Sequence, residues 1–311
     1  MQHTQQQEFY SIAGLLLDLV FPAGPKREDM LPSFEPFSVE NADRQQSVCS
    51  VEILFCTSIT QENRGKLRSD VSAVWGEHFR FYEQEDCYIT IIKSELGGDL
   101  WMMKSNKDFS RSVIHMQTVK PMLYCGLSWL MMVAFGQTCL LHHAILIHAS
   151  VVACNGKGYA FLGKSGTGKS THSRLWLEHV EGAELLNDDN PAIRLEDDGH
   201  IYAYGTPWSG KTDCYKRLKV PVQAFVRLKQ ATDNKLLMKQ GMDAFIGILP
   251  SCTAIRWNKT LFTKMTDTVE AIVNKVLVAE LACLPDRAAA RLCHHEILQL
   301  TNLYKTERNS A

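Results

Sequence analysis

Residues 145–170 read ILIHASVVACNGKGYAFLGKSGTGKS. The run at 145–154 is apolar and rich in β-branched side chains, which predicts a strand. The turn sequence NGKG follows, and a second apolar run at 159–163 leads into glycine-rich sequence. An Asn-Gly turn between two such runs is typical of a β-hairpin. We therefore predict a hairpin whose second strand ends at a glycine-rich loop.

The glycine-rich loop at 163–170, GKSGTGKS, satisfies the pattern G-x-x-x-x-G-K-[ST] in full. Its glycines allow the backbone to point successive N–H groups at phosphate oxygens, and the helix predicted to follow adds its positive N-terminal end. Lys169 supplies a charge to the β- and γ-phosphates, and the Ser170 hydroxyl can ligate Mg²⁺. The loop therefore predicts a site for ATP or another nucleoside triphosphate with Mg²⁺. The residues predicted to hold the nucleotide are Gly163, Lys164, Ser165, Gly166, Thr167, Gly168, Lys169, Ser170 and Thr171.

Two adjacent carboxylates, Asp188 and Asp189, follow the predicted strand AELLN at 183–187. A carboxylate at the end of a strand beside a phosphate-binding loop is where a Mg²⁺ ligand belongs. Two neighbouring carboxylates can divide the work, because one can hold the metal while the other accepts a proton from an attacking hydroxyl. The competing interpretation is an acidic surface turn, as we predict for Asp197 and Asp198. The position after the loop favours a functional pair.

His148 interrupts an otherwise apolar strand. A lone histidine in a strand is most often a buried structural group. Its strand, however, pairs through a short turn with the strand that ends at Gly163. The hairpin therefore predicts that His148 lies near the triphosphate.

The run LIHASVVACNGKGYAFLGKSGTGKST, followed by LLNDD, resembles the nucleotide-binding core shared by HPr kinase/phosphorylase and phosphoenolpyruvate carboxykinase. The carboxykinases show a similar His-Cys-Ser segment, a loop of the form G-x-S-G-T-G-K-T-T and an Asp-Asp pair. In HPr kinases the histidine, the loop and the Asp-Asp pair are spaced much as they are here. The likeness is greatest to HPr-kinase-like proteins encoded beside ribosomal peptide modification systems, some of which phosphorylate a peptide.

The resemblance implies an α/β fold, with a P-loop domain of the HPr kinase/carboxykinase type and a mixed sheet. It implies an ATP- and Mg²⁺-dependent kinase that acts on a hydroxyl. Lys169 then looks like the phosphate-contacting lysine and Ser170 like a metal ligand. Asp188 resembles the catalytic carboxylate of the kinases, and Asp189 resembles its neighbour in the metal shell. His148 is similar to an active-site histidine.

The acceptor and the donor stay open at this point. A Ser or Thr of a peptide or protein is the leading acceptor, a small hydroxyl compound is another, and pyrophosphate could replace ATP. A carboxykinase-like lyase is one alternative function, but it would need an oxaloacetate site that the sequence does not show. A non-catalytic nucleotide sensor or scaffold is the other. Intact Lys169, Ser170 and the Asp188-Asp189 pair favour turnover, since a sensor can lose the base without penalty.

A second candidate surface lies at 205–213, GTPWSGKTD, after the hairpin predicted at 191–205. The run Gly210-Lys211-Thr212 could cradle a second anion, and Trp208 could cover a substrate. The alternative interpretation is an ordinary loop, because loops of this kind are common connections.

Residues 1–112 alternate apolar and polar side chains in short runs, at 50–58, 78–84, 87–94 and 99–105. This pattern predicts an antiparallel, β-rich N-terminal module with one buried face. The second domain, at 113–311, begins with a helix predicted near 119–139. The elements predicted beyond the loop are a helix at 170–180, strands at 183–187 and 222–230, a helix at 265–278, a strand at 276–281 and a helix at 285–301.

The formal net charge is −1, from 33 basic and 34 acidic residues, which argues against a nucleic-acid partner. The ten cysteines form no C-x-x-C pair, and the N-terminus lacks the layout of a signal peptide, so we expect a cytoplasmic protein. The uncharged stretch at 122–141 approaches the length of a membrane span, but it contains polar residues and glycines. We predict a buried core helix there and no membrane partner. The oligomeric state stays open, a homo-oligomer included.

Overall fold

The computed structural model of this chain describes residues 6–22, 24, 26–40, 46–57, 64–70, 78–93, 100–116, 125–210 and 212–309. The chain forms two compact units, Met1–Cys139 and Leu140–Ala311. The boundary falls later than the predicted one at 112/113, because the first helix after it packs with the N-terminal strands. The Thr138 hydroxyl at the end of that helix donates to the Val48 carbonyl at 3.2 Å.

The first unit is a mixed sheet. Its described elements are β1 (Gln6–Ile12), β2 (Leu15–Phe21), α1 (Arg27–Met30), a 3₁₀ helix (Pro32–Phe37), β3 (Ser38–Val39), β4 (Cys49–Phe55), β5 (Lys66–Ser69), β6 (Phe79–Glu83), β7 (Cys87–Lys93), β8 (Leu100–Asn106), β9 (Arg111–Met116) and α2 (Cys125–Thr138). The strand order among these residues is β3-β1-β2-β4-β9-β8-β7-β6-β5.

The antiparallel prediction for this unit is only partly right. The four predicted runs coincide with β4, β6, β7 and β8, and β5 through β9 pair antiparallel in sequence. By contrast, β4 lies parallel to both of its neighbours, β2 and β9. Long connections rather than tight turns join these three strands, and parallel pairing requires such crossovers. The predicted boundary at 112 therefore cut through β9, a central strand.

The helix predicted near 119–139 is confirmed over Cys125–Thr138, and residues 117–124 lie outside the described part of the chain. Its apolar side chains are buried in the first unit, as expected for a core helix; they include Leu127, Leu130, Met131, Ala134 and Phe135. No helix in the described part of the chain is both long and apolar enough to cross a membrane.

The second unit is also a mixed α/β structure. A 3₁₀ helix (Cys139–His142) leads into it. Its described elements are β10 (Ala144–Leu146), β11 (Ala149–Cys154), β12 (Lys157–Leu162), α3 (Lys169–His179), β13 (Ala183–Asn187), β14 (Ala192–Leu195), β15 (Ile201–Tyr204), β16 (Lys219–Gln230), β17 (Lys235–Lys239), α4 (Gly241–Ile248), a 3₁₀ helix (Leu249–Ser251), α5 (Lys259–Lys275), β18 (Leu277–Cys283) and α6 (Arg287–Asn309). The sheet follows the order β10-β14-β15-β16-β12-β11-β13, and β18 pairs with β16 and β17. The α/β class and the mixed sheet agree with the prediction.

The hairpin at the centre of this sheet is confirmed. β11 and β12 pair antiparallel from Ala149 opposite Leu162 to Cys154 opposite Lys157. The turn residue Asn155 has a φ of 50° and Gly156 a φ of 71°. Positive φ at both turn positions is the conformation that fits a two-residue hairpin to twisted strands.

The single strand predicted at 145–154 is two strands, which is a correction. β10 pairs with β14, whereas β11 pairs with β12 and β13. At the break, Ile147 forms an isolated bridge to Cys252, and the His148 N–H donates to the Ser251 carbonyl at 2.7 Å. These bonds satisfy backbone groups that a continuous ladder would otherwise use. His148 therefore lies just before β11 and not inside a strand.

Helix α3 packs one face against the sheet. The Trp176 ring lies 4.7 Å from the Tyr159 ring and 5.3 Å from the Phe161 ring, between centroids. Buried residues of α6, including Ala290, Cys293 and Ile297, belong to the same core cluster. The core therefore holds α3 and β12, the two elements between which the glycine-rich loop is suspended.

Two later elements, β17 and α4, were not predicted from the sequence, and α5 begins earlier than the predicted 265–278. The N-terminus of α5 is set by Asn258, whose side chain accepts a hydrogen bond from the Leu261 N–H at 3.1 Å. An asparagine in this position is a strong helix start signal.

Candidate active site

The strand directions bring three segments to one end of the second sheet. β12 and β16 are parallel, and so are β16 and β18, so their carboxyl ends lie together. β11 is antiparallel to both β12 and β13. Its beginning, after His148, therefore lies beside the end of β12, where the glycine-rich loop begins, and beside the end of β13, where Asp188 follows. The predicted segments meet because of this topology.

The glycine-rich loop joins β12 to α3, and its last two residues begin the helix. Gly166 has a φ of 79° and Gly168 a φ of 106°, in the region that favours glycine. A Cβ atom at either position would meet nothing within 4 Å, so backbone conformation and not crowding calls for glycine there. The Thr167 N–H and hydroxyl both donate to the Lys164 carbonyl, at 3.1 and 2.7 Å. These hydrogen bonds join Lys164 to Thr167 across the loop, while residues 164–166 are exposed to solvent.

Lys169 lies under this loop with 8% of its surface exposed. Its Nζ atom donates to the Gly163 carbonyl at 3.0 Å and lies 2.8 Å from Nε2 of His148. Burial lowers the pKa of Lys169, and the nearby carboxylates Asp189 and Asp188 partly oppose this effect. The structure therefore places a cation beneath the loop, close to the acidic pair.

His148 connects Lys169 to Asp189. Its Nε2 lies 2.8 Å from the lysine Nζ, and its Nδ1 lies 3.0 Å from Oδ1 of Asp189. An ammonium group has donors only, so Nε2 acts as the acceptor and Nδ1 carries the proton toward the carboxylate. The structure thus places His148 beside the lysine of the glycine-rich loop and beside the acidic pair.

The carboxylate of Asp188 is fixed by two hydroxyl groups. Ser150 Oγ donates to Oδ1 at 2.7 Å and is itself 2.6 Å from Ser173 Oγ. Thr212 Oγ1 donates to Oδ2 at 3.1 Å. Ser150 and Ser173 are buried, whereas Thr212 is exposed. One oxygen of Asp188 therefore faces the protein interior and the other faces solvent.

The sequence predictions did not include Ser150 and Ser173, although signals for both were present. Ser150 stands two residues beyond His148 at the start of a strand, and alternate residues of a strand share a face. Ser173 stands four residues beyond Lys169, on the same face of α3. Thr212 was predicted as part of a second anion site, and its hydroxyl instead donates to Asp188.

Asp189 is held by its neighbours on both sides. Its Oδ2 accepts from Asn190 Nδ2 at 2.9 Å, and its N–H donates to Asn187 Oδ1 at 3.0 Å. Gly210 packs against it, since a Cβ atom there would come within 3.0 Å of the Asp189 Cβ. Ser170, the other predicted metal ligand, is exposed at the start of α3.

The second candidate surface is only partly described. Gly210 touches the acidic pair, but Lys211 lies outside the described residues. Trp208 is 6% exposed, and its carbonyl accepts from the Asn190 N–H at 3.1 Å. This burial leaves little of the indole free, so Trp208 supports the turn after the acidic pair and offers no open face to a substrate.

Two cavities flank the glycine-rich loop. One, of about 370 Å³, lies between the loop, the first turns of α3 and the ends of β16 and β18; its apolar walls include Leu175, Leu228, Leu284 and Pro285. The other, of about 440 Å³, is lined by the loop together with Arg227, Lys229 and Glu280. The loop is therefore accessible from an apolar side and from a charged side.

His172 lines the apolar cavity, and its burial should make the free energy of unfolding depend on pH. It is buried and accepts from Trp176 Nε1 at 3.1 Å, and burial lowers its pKa from 6.5 to about 4. Between pH 6.5 and pH 4, the imidazole of His172 is protonated more readily in the unfolded chain than in the folded one. The free energy of unfolding therefore falls as the pH decreases through this range, by about 3 kcal/mol in total. Urea unfolding of the native protein and of His172→Gln across this range will measure the effect. The glutamine cannot titrate but can still accept from Trp176; equal acid sensitivity of the two proteins would contradict the assignment.

The comparisons with known proteins give a distant likeness. No family model matches the sequence, and no curated protein matches it. Among solved structures, the Hpr(Ser) kinase/phosphatase from Coxiella burnetii aligns with 53% of this chain and 94% of that chain. The sequence identity is 14% and the TM-score is 0.33. A likeness at this identity and TM-score is too distant to indicate a function for this chain.

Proposed function

We propose that this protein is an ATP- and Mg²⁺-dependent phosphotransferase of the HPr-kinase-like type. One observation carries the proposal: the hydrogen-bonded series that runs from the glycine-rich loop through Lys169 and His148 to Asp189, beside Asp188. Phosphoryl transfer requires a cation near the phosphates and carboxylates close to it. Lys169 beneath the glycine-rich loop and the adjacent pair Asp188 and Asp189 provide these groups.

The loop and the apolar cavity together suit a nucleoside triphosphate. The loop and the first turn of α3 would hold the phosphates, because the first N–H groups of a helix have no acceptor within it. The cavity of about 370 Å³ is within the range of small-molecule sites and would take the base against Leu175, Leu228 and Leu284. Pyrophosphate would leave this cavity unfilled, so the proposal favours ATP as the donor.

The side chains also fit a magnesium ion that arrives with the nucleotide. The part of the chain that the structure describes has no group of three or more His, Cys, Asp or Glu residues arranged to hold a metal. Mg²⁺ in nucleotide sites is bound by one or two carboxylates together with substrate phosphates, so a complete protein cage is not needed. Asp189 and the Ser170 hydroxyl would be its protein ligands. The bound ion would neutralise charge on the phosphates.

Asp188 would act as the general base. Its outer oxygen, Oδ2, faces solvent and accepts from a hydroxyl at hydrogen-bond distance. In the transfer step, the acceptor oxygen forms a bond to the γ-phosphorus while the bond to the leaving ADP oxygen breaks. The acceptor proton passes to Asp188, and the charge of Lys169 stabilises the transferring group. We propose a Ser or Thr hydroxyl of a peptide or protein as the acceptor class.

The proposal is tested by the metal dependence of nucleotide turnover. Ser170→Ala removes an oxygen ligand and Asp189→Asn removes the negative charge of the other ligand, so both should raise the Mg²⁺ concentration needed for half-maximal ATP consumption. Thr266→Ala and Asp267→Asn on α5 likewise remove a hydroxyl group and a carboxylate charge, away from the loop, and serve as controls. Titrations of both site variants that overlay the native curve would remove Ser170 and Asp189 from the metal shell. Tight ATP binding by native protein without turnover on any hydroxyl or water would instead indicate a nucleotide sensor.

A further inference from the structure

The exposed hydroxyl of Thr212 is hydrogen-bonded to the solvent-facing oxygen of Asp188. Thr212 Oγ1 donates to Asp188 Oδ2 at 3.1 Å, while the inner oxygen, Oδ1, accepts from Ser150 at 2.7 Å. A general base must lie within about 2.6–3.2 Å of the oxygen whose proton it takes. The Thr212 hydroxyl therefore stands where an acceptor hydroxyl would stand.

We propose that Thr212 is an autophosphorylation site, to which the protein transfers the γ-phosphoryl group of its own nucleotide. The inference rests on the proposed function, because it needs the same loop, lysine and base. The Thr212 oxygen forms the bond to phosphorus, the bond from phosphorus to the ADP oxygen breaks, and the proton moves to Oδ2 of Asp188. ATP is the only co-reactant.

The loop that carries Thr212 is anchored on both sides of it. Before it, Ser209 Oγ accepts from the Asp188 N–H at 3.2 Å, and Gly210 packs on Asp189. After it, Cys214 is buried, and its Sγ donates to the Leu186 carbonyl at 3.4 Å. The backbone near Thr212 is thus tied to the acidic pair and to the strand before it, so the hydroxyl reaches the base through a short connection.

Exposure distinguishes Thr212 from the other hydroxyls of the network. Ser150 is completely buried, and Ser173 and Ser209 are each 2% exposed. These serines can orient the carboxylate but cannot meet a phosphate that approaches from solvent. Among the described hydroxyl groups that contact Asp188, Thr212 is the exposed one.

Phosphorylation would also change the loop. A phosphothreonine carries close to two negative charges at neutral pH, and like charges at this distance repel. The modified Thr212 should therefore leave Asp188, which frees Oδ2 for an external acceptor. The Thr212 hydroxyl would then be the first phosphoryl acceptor. Before it is modified, it would also block access of an external acceptor to Asp188 Oδ2.

The test is phosphosite mapping by mass spectrometry of the full chain after incubation with ATP and Mg²⁺. We expect one phosphate per chain at Thr212, retention of the modification in Thr212→Ser and its loss in Thr212→Ala. Thr232→Ala is the matched control, because exposed Thr232 also donates to a carboxylate, Asp233 Oδ2 at 3.2 Å, on another loop. This variant should be modified at Thr212 to the native extent.

The outcomes separate this inference from the proposed function. ATP consumption by native protein with Thr212 unmodified would overturn the inference and leave the phosphotransferase intact. Native protein that neither binds nor consumes ATP would overturn both. In a mixture with native protein, isotopically labelled Lys169→Ala chains, which are expected to be inactive, supply a Thr212 that can be told apart by mass. Phosphate on that threonine would show transfer between chains and overturn the intramolecular geometry, whereas an absence of phosphate there would support it.

Discussion

Asp188→Asn should bind ATP within a few-fold of the native affinity yet lose phosphoryl transfer by roughly 10²–10⁴, the usual effect of removing a positioned base. The amide has nearly the shape of the carboxylate, and its oxygen can still accept from Ser150 at the inner position. Its NH₂ group at the outer position cannot take a proton from a hydroxyl. Calorimetric ATP binding beside a transfer or slow-hydrolysis assay will measure the two effects separately.

The matched control for this variant is Asp197→Asn, in the other Asp-Asp pair of the sequence. Asp197 is exposed in the turn between β14 and β15, so its substitution should leave both ATP binding and turnover at native values. Native turnover by a folded Asp188→Asn protein would show that the base assignment is wrong. A parallel fall in ATP binding and transfer would indicate instead that Asp188 also holds the metal.

Lys169→Ala should lose phosphoryl transfer by roughly 10²–10³ or more, because a fixed donor aimed at developing charge contributes effects of this size. Circular dichroism should show that the fold is retained, since the hydrogen-bond partners of Nζ among the described residues are loop carbonyls and His148. Lys157→Ala, at the exposed hairpin turn at the opposite end of β12, is the control and should turn over normally. Unchanged turnover in well-folded Lys169→Ala protein would eliminate the phosphate-loop interpretation.

Local patterns predicted the parts of the site that lie on one hairpin and one loop. The Asn155-Gly156 turn fixed the β11–β12 pairing, and the loop glycines marked the bend before α3. The acidic pair was recognised because it directly follows a strand. Each of these signals depends on residues close together in the chain, which is the information that a single sequence holds best.

Features set by distant parts of the chain were missed. The break at His148 depends on a backbone bond to Ser251, and the parallel placement of β4 depends on β9, far along the chain. Thr212 reaches Asp188 only because β14, β15 and the following loop turn back to the sheet end. Periodicity and propensity carry no record of such pairings, so Ser150 and Ser173 were not predicted and Thr212 was not linked to Asp188.

The parallel partner of β12 has a consequence for biosynthesis. β12 precedes the glycine-rich loop, but β16 and β18, which complete its side of the sheet, are translated much later. Pairings between segments far apart in sequence form only after the loop-closure entropy between them is overcome. When the glycine-rich loop has just left the ribosome, β16 and β18, which complete the sheet beside β12, have not yet been made. In the function proposed here, nucleotide binding would be acquired late in synthesis, after the ribosome has passed residue 283.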